Sequence, residues 1–330
     1  MKRVNPKLFN YIYNERGAVY CEDRIGVESN LRNDEEKNLQ YLGTYFPRSY
    51  VEAYTIYNNI FNNEDIYEHF NKKDTIRILD IGSGTGGNLL GLIQVLMEHF
   101  ENKSIYVISI EGNNNAVEIQ LELLTKFEEF VEGNGNILHG SINNIEFANK
   151  KELSSKLDRL SLDGTIDIMQ SFKVVNEFYR EDYDSNKGMY SELMKLGELW
   201  LKKSGILCLV DVTNPIEGQT YASIIFNEEV RNYLANNECE LVYIIPKCCA
   251  LNYKKCKKKR NCFSKMVFEI NFGEFRKKSK VNYKLFIKKK LGSRVKRYIK
   301  ENQCNYETCY CRDYDDQYNC TKKLTDPYIL

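Results

Sequence analysis

Residues 77–88 read RILDIGSGTGGN, an apolar run carrying Asp80 near its end and then four glycines, Gly82, Gly84, Gly86 and Gly87, within six positions. A glycine has no Cβ, so a ligand can come close to the main chain there. The helix that follows offers its free N–H groups to that ligand. Two ligand patterns fit. Gly82, Gly84 and Gly87 satisfy G-x-G-x-x-G, the dinucleotide fingerprint, which alone is a weak signal. Asp80, Gly82, Gly84 and Gly86 satisfy acid-x-G-x-G-x-G.

The flanking sequence sets this turn in an alternating pattern. TIRILDI reads as a first strand and NLLGLIQVLMEHF as a helix, followed by SIYVISIE as a second strand and AVEIQLELLTKFEEFV as a second helix. NILHGSI, TIDIMQSF and SGILCLVDV continue the strands, with the helix YSELMKLGELWLKK before the last of these. FNEEVRNYLANN then reads as helix and CELVYIIP as strand. Short strands separated by helices predict a doubly wound, mostly parallel α/β sheet, here of seven strands. Upstream, PRSYVEAYTIYNNIF has helical spacing, with Pro47 placed at its start. The expected divisions are a helical N-terminal region (1–72), a ligand-binding α/β domain (73–246), a basic Cys-containing insertion with the last strands (247–300) and a Cys-rich tail (301–330). No internal repeat or low-complexity tract is present.

The acid-x-G-x-G-x-G match resembles motif I of the class I S-adenosylmethionine-dependent methyltransferases. That resemblance implies a cofactor set. An acid closing the second strand holds the ribose hydroxyls, the position of Glu111, and the residue after the third strand lies beside the adenine, where this chain has Ser141. Gly82, Ser83, Gly84 and Gly86 would admit the cofactor, and Gln170 of the fourth strand would join them. Asp80 favours a ligand bearing an ammonium and a sulfonium over a pyrophosphate. The Asn/Asp-Pro-Pro-aromatic motif of amino-group methyltransferases is absent, QSFKVVNEFY standing in its place. Asn176 and Glu177 there could cap the following helix or line the pocket rim.

Charge is unevenly spread. The chain has a formal net charge of +1, yet Lys247 to Lys300 holds 20 lysines and arginines against Glu269 and Glu274, a net +18, while the remainder nets −17. Apolar strand-like pieces, MVFEINF and YKLFI, interrupt the run and predict a folded basic surface, the kind that meets phosphate backbones. No run approaches the length of a membrane span. The N-terminus lacks the apolar core of a signal peptide, so a cytoplasmic setting is expected. Thiols stay reduced there, which makes the eleven cysteines core residues or metal ligands rather than disulfides.

Cys248, Cys249, Cys256 and Cys262 are spaced poorly for a zinc ribbon and acceptably for an iron–sulfur cluster, with zinc the alternative. YFPRSYVEAY before motif I, DVTNP after the fifth strand and the cysteine layout together resemble the mitochondrial small-ribosomal-subunit methyltransferase-like assembly factors and their bacterial relatives. In that family three cysteines of the insertion and one later cysteine hold a four-iron cluster, which implies Cys248 or Cys249, Cys256, Cys262 and Cys304. The resemblance implies an RNA partner, ribosomal and of the small subunit, and no membrane. The expected function is methyl transfer to RNA. A non-catalytic assembly factor or a small-molecule methyltransferase is the alternative. No side chain announces itself as a catalytic base.

Overall fold

The computed structural model describes residues 4–21, 33–131, 134–216, 220–236, 238–252, 266–272 and 275–301. They fall into two compact units. The first is Met1–Phe61, Phe70–Glu146 and Phe268–Ser279, and the second is Asn62–His69, Phe147–Val267 and Lys280–Leu330.

Pro6 opens helix α1 (Pro6–Asn10), whose first N–H groups at Lys7 and Leu8 are capped by the Asn5 side chain. A π-helical turn, Tyr11–Glu15, follows. Helix α2 (Glu35–Phe61) starts twelve residues before PRSYVEAYTIYNNIF, and Pro47 lies inside it rather than at its start. Proline has no N–H to give the carbonyl four residues back, so Gly43 loses its intrahelical partner. The Tyr13 hydroxyl donates to that carbonyl instead. The helix survives its proline because a neighbouring turn replaces the missing bond.

Helix α3 (Glu64–Asn71) leads into β1 (Thr75–Ile81), α4 (Gly87–His99), β2 (Ser104–Glu111), α5 (Asn114–Phe130) and β3 (Ile137–Asn144). The strands β1 and β2 pair in parallel, Asp80 opposite Ser109, and β2 and β3 do the same, Glu111 opposite Asn144. Helix α2 packs closely on α4. A Cβ added at Gly87 would sit 2.7 Å from the Phe46 carbonyl oxygen, and one at Gly91 would sit 2.4 Å from that of Tyr50. Two glycines one turn apart on α4 thus admit the backbone of α2. At the other end of this seam Phe61 packs edge-on against Phe70 and Phe100, each with centroids 5.2 Å apart.

The second unit holds α6 (Lys150–Leu157), β4 (Ile166–Phe172), α7 (Val175–Glu181), α8 (Tyr183–Asn186), α9 (Met189–Trp200), β5 (Leu201–Val212), α10 (Ala222–Asn236), β6 (Leu241–Ile245) and α11 (Lys247–Asn252). Strand β7 (Met266–Phe272), strand β8 (Phe275–Lys288) and helix α12 (Lys289–Glu301) complete the described chain. Strands β4 and β5 are parallel, whereas β8 runs antiparallel to both β5 and β6. The N-terminus of α9 has no side-chain cap of its own. Glu229, from α10, accepts the Gly188 and Tyr190 N–H groups at 2.9 and 3.0 Å.

The strand order is 3-2-1-4-5-8-6, with β7 paired to β8. This is the doubly wound, mostly parallel seven-stranded sheet expected from the sequence, with an eighth strand added. Leu201–Lys203, read as the end of a helix, instead begin β5 because α9 stops at Trp200. No helix among the described residues is long and apolar enough to cross a membrane.

Candidate cofactor site

The glycine turn runs from the end of β1 into α4, within the first unit. Gly82, Gly84 and Gly86 all adopt positive φ, at 70°, 55° and 86°. Left-handed backbone at three alternating positions folds the chain back on itself, a path open to glycine and strained for most other residues. The turn is clipped to β2, since the N–H groups of Gly82 and Ser83 donate to the Ile110 carbonyl at 2.8 and 3.2 Å. Beneath it lies a buried polar cluster. Ser83 Oγ donates to Gln120 Oε1 at 2.9 Å, and Ser109 Oγ to Ser83 Oγ at 2.7 Å, while Gln120 Nε2 donates to Ser109 Oγ at 3.0 Å. Strand, turn and helix α5 are therefore joined by hydroxyls and one amide.

Asp80 is wholly buried, and both its oxygens accept from Asn88 Nδ2, at 3.1 and 2.9 Å. It braces the turn against the first turn of α4. Glu111 lies at the end of β2 and is 9% exposed. Its Oε2 accepts the Gly84 N–H at 2.7 Å and its Oε1 the Asn113 N–H at 2.9 Å. Burial pushes this carboxyl up, while the N–H groups of Asn113, Gly84 and Gly112 pull it back down. Main-chain N–H groups thus hold both oxygens in place.

Strand β3 continues to Asn144, two residues past the end of NILHGSI. Ser141 therefore stands opposite Ile108, three rungs before the Glu111–Asn144 rung and about 10 Å from it along the strand. The residues beside Glu111 at the carboxyl end are Asn144 and Ile145. Asn144 Nδ2 donates to the Gly112 carbonyl at 3.2 Å, and the Ile145 N–H to that of Glu111 at 3.0 Å. Pairing with β2 carries the edge strand further than its apolar run suggests.

Sequence reasoning did not single out Tyr41, Asn113 or Gln120. Asn113 caps α5, accepting the Ala116 N–H at 2.9 Å, and its Oδ1 also accepts a hydrogen bond from Asn38 Nδ2 of α2 at 3.2 Å. An asparagine directly before a helical pattern was a legible signal for it. Gln120 shares the buried face of α5 with Ala116, Leu123 and Phe127, and a polar residue on an apolar face was the clue there. Tyr41 reaches the turn through tertiary packing alone. Its Cε1 and hydroxyl oxygen lie 3.7 and 3.8 Å from where a Gly84 Cβ would be.

In the second unit Gln170 is wholly buried in β4, in register with Cys208. Lys173, just past β4, holds φ at +62°, and Asn176 Nδ2 donates to its carbonyl at 2.6 Å. Asn176 bridges the turn rather than capping α7, whose N-cap is Val174. Asp211 of β5 accepts the Asn176 N–H at 3.1 Å and the Tyr190 hydroxyl at 2.7 Å. Complete burial pushes its carboxyl up to about 6.

Cys249 is half-buried on α11, the helix that also carries Cys248, and Cys256, Cys262 and Cys304 lie outside the described residues. Among the described residues no three His, Cys, Asp or Glu side chains converge to hold a metal. The basic segment is partly internal, with Lys247, Lys284 and Lys288 buried. Helix α12 buries Leu291, Val295 and Ile299 and exposes Lys290, Arg294, Arg297 and Lys300.

No protein-family model matches this chain, and no curated protein matches it in sequence. Among solved structures it is similar to a SAM-dependent methyltransferase from Aquifex aeolicus at 16% identity and a TM-score of 0.34, covering 69% of this chain and 90% of that one. It is also similar to magnesium protoporphyrin IX methyltransferase from Synechocystis PCC 6803 with bound SAM, at 11% identity and a TM-score of 0.35, covering 86% and 92%. A third neighbour is the Methanococcus jannaschii fibrillarin pre-rRNA processing protein, at 14% identity and a TM-score of 0.35, covering 66% and 68%. At such scores the function rests on this chain's own geometry.

Proposed function

We propose that this chain is an S-adenosylmethionine-dependent methyltransferase that acts on RNA, with small-subunit ribosomal RNA as the expected substrate. One observation carries the cofactor half of that reading. A nearly buried carboxylate at the end of β2 is held by main-chain N–H groups against a left-handed glycine turn. The residues fit the group. Glu111 would take the ribose hydroxyls, and the turn at Gly82–Gly86 would admit the ligand to the main chain. Asp80, locked to Asn88, would keep the turn rigid.

When bound, S-adenosylmethionine supplies an electrophilic methyl group on a sulfonium. The protein's task is then to hold the acceptor in line and to exclude water, so no conspicuous base is required. Glu111 remains a hydrogen-bond acceptor throughout, and the Gly84 and Asn113 N–H groups fix its orientation.

The RNA half is carried by the +18 segment and by the exposed basic residues of α12. Phosphate contacts of this kind weaken steeply with salt. The proposed iron–sulfur or zinc ligands, Cys248 or Cys249 with Cys256, Cys262 and Cys304, rest on cysteine spacing and the resemblance. Iron, sulfide and zinc analysis after anaerobic purification tests them.

The decisive experiment is calorimetric titration of S-adenosylmethionine and S-adenosylhomocysteine into wild type and Glu111→Ala, followed by incubation of wild type with labelled cofactor and ribosomal subunits. Binding that Glu111→Ala weakens at least tenfold, with label moving onto RNA, supports the reading. Binding without transfer favours the assembly-factor alternative, and transfer to small molecules without RNA favours the other.

A further inference from the structure

Helix α12 has two faces of opposite character. Leu291, Val295 and Ile299 are buried, and the helix packs on strands β5 and β6. Gly292 lets it sit close, since an added Cβ would stand 2.5 Å from the Ile287 carbonyl oxygen and 2.8 Å from Val242 Cβ. The Lys289 N–H donates to the Glu240 carbonyl at 2.8 Å and anchors the first turn.

The other face is basic. Six lysines and arginines of the helix stand against Glu301, a net +5. Among the described side chains of the basic segment, Lys247, Lys284 and Lys288 are buried and bring little charge to the surface. The exposed cations are Lys280 and, on α12, Lys289, Lys290, Arg294, Arg297 and Lys300. Lys289 pairs with Glu240, and Arg294 with Asp65 of α3. Among the described residues no carboxylate pairs with Lys290, Arg297 or Lys300. These three lie on one side of the helix and span about 15 Å along its axis.

The two faces together select the partner. A helix that binds a lipid surface inserts its apolar face, and α12 has already spent that face on the sheet. A single large apolar side chain, Tyr298 at 45% exposure, interrupts the charged side, which leaves no apolar anchor for a protein partner. Fixed cations in a row on a rigid helix complement a regularly charged polyanion.

We propose that α12 is a rail for the RNA sugar–phosphate backbone, with Lys290, Arg297 and Lys300 each contacting a phosphate and no base being read. The inference rests on the RNA reading above. It adds where the backbone lies, and that this contact is independent of sequence.

Fluorescence anisotropy tests it, with the full chain titrated into labelled oligouridine and into a mixed-sequence RNA of the same length across a salt series. Wild type should bind both RNAs alike, and affinity should fall steeply as salt rises. The triple variant Lys290→Gln, Arg297→Gln, Lys300→Gln should flatten the slope of log affinity against log salt by about 2, at roughly 0.7 per lost single-strand contact. A control triple, Lys151→Gln, Arg159→Gln, Lys195→Gln, removes the same charge from exposed positions elsewhere and should leave the slope unchanged. Equal flattening by both triples, or none in the α12 triple, overturns the proposal and leaves the RNA reading to the rest of the basic segment. Preference for one of the two RNAs overturns the absence of base reading. Polyglutamate that displaces the RNA as well as unlabelled oligouridine does overturns the choice of RNA over an acidic protein. Capture by phosphatidylserine vesicles with neither RNA bound assigns the face to a membrane, and wild type that binds neither RNA sinks both readings. Urea unfolding reports whether each variant folds. Arg297→Gln alone, expected to flatten the slope by about 0.7, carries the test if the triple does not fold.

Discussion

Gly86→Ala probes the left-handed glycine turn most directly. At φ +86° an alanine incurs roughly 1–2 kcal/mol of left-handed strain, offset by about 0.4–1 kcal/mol from the stiffer unfolded chain. The new methyl would also stand 2.8 Å from Gln120 Cγ, too close for both to stay. Gln120 must then retreat from Ser83 and Ser109, whose bonds to it are buried and worth about 1 kcal/mol each. The expected loss is about 2–4 kcal/mol. Equilibrium urea unfolding followed by circular dichroism measures it, and a double-mutant cycle with Gln120→Ala separates the two sources. With Gln120 already truncated, the alanine should cost only its residual strain, about 1 kcal/mol or less. Equal costs in both backgrounds would refute the reasoning, since the turn would then not be coupled to Gln120.

Tyr13→Phe removes the donor that replaces the bond denied by Pro47, and should cost about 1–2 kcal/mol in the same urea assay. Restoring the donor from within the helix by Pro47→Ala should recover most of that loss. Asp211 should make stability fall as pH rises. Its folded value, about 6, lies above its ordinary 3.8, so the folded chain holds the extra proton between those values, and about 2–3 kcal/mol of stability should be lost across pH 4–6. Asp211→Asn should flatten that portion of a stability–pH curve, and an unchanged slope would assign it to other groups. Glu111→Ala should reduce S-adenosylmethionine affinity by at least tenfold with a near-normal melting profile, and calorimetry with thermal unfolding checks the pair.

The alternating apolar runs made the sheet legible, because strands buried on both faces leave a continuous hydrophobic signature. The place of Glu111 at the end of β2, beside the glycine turn, was legible too, as a local pattern tied to a strand end. The end of β3 was less legible, because it is an edge strand with an exposed, polar carboxyl end, where pairing rather than hydrophobicity sets the boundary. Pro47 misled for a similar reason. A proline usually ends a helix, and the hydroxyl that rescues this one lies 34 residues away in sequence. Tyr41 left no local trace, since its position follows from two glycines on another helix.

Those two glycines, Gly87 and Gly91, leave almost no side-chain cushion between α2 and α4. A layer of leucines could slide, but backbone lying against backbone cannot yield by a rotamer change. The seam between these two helices is thereby set once, when the chain folds, and cannot be retuned by a side chain swinging aside.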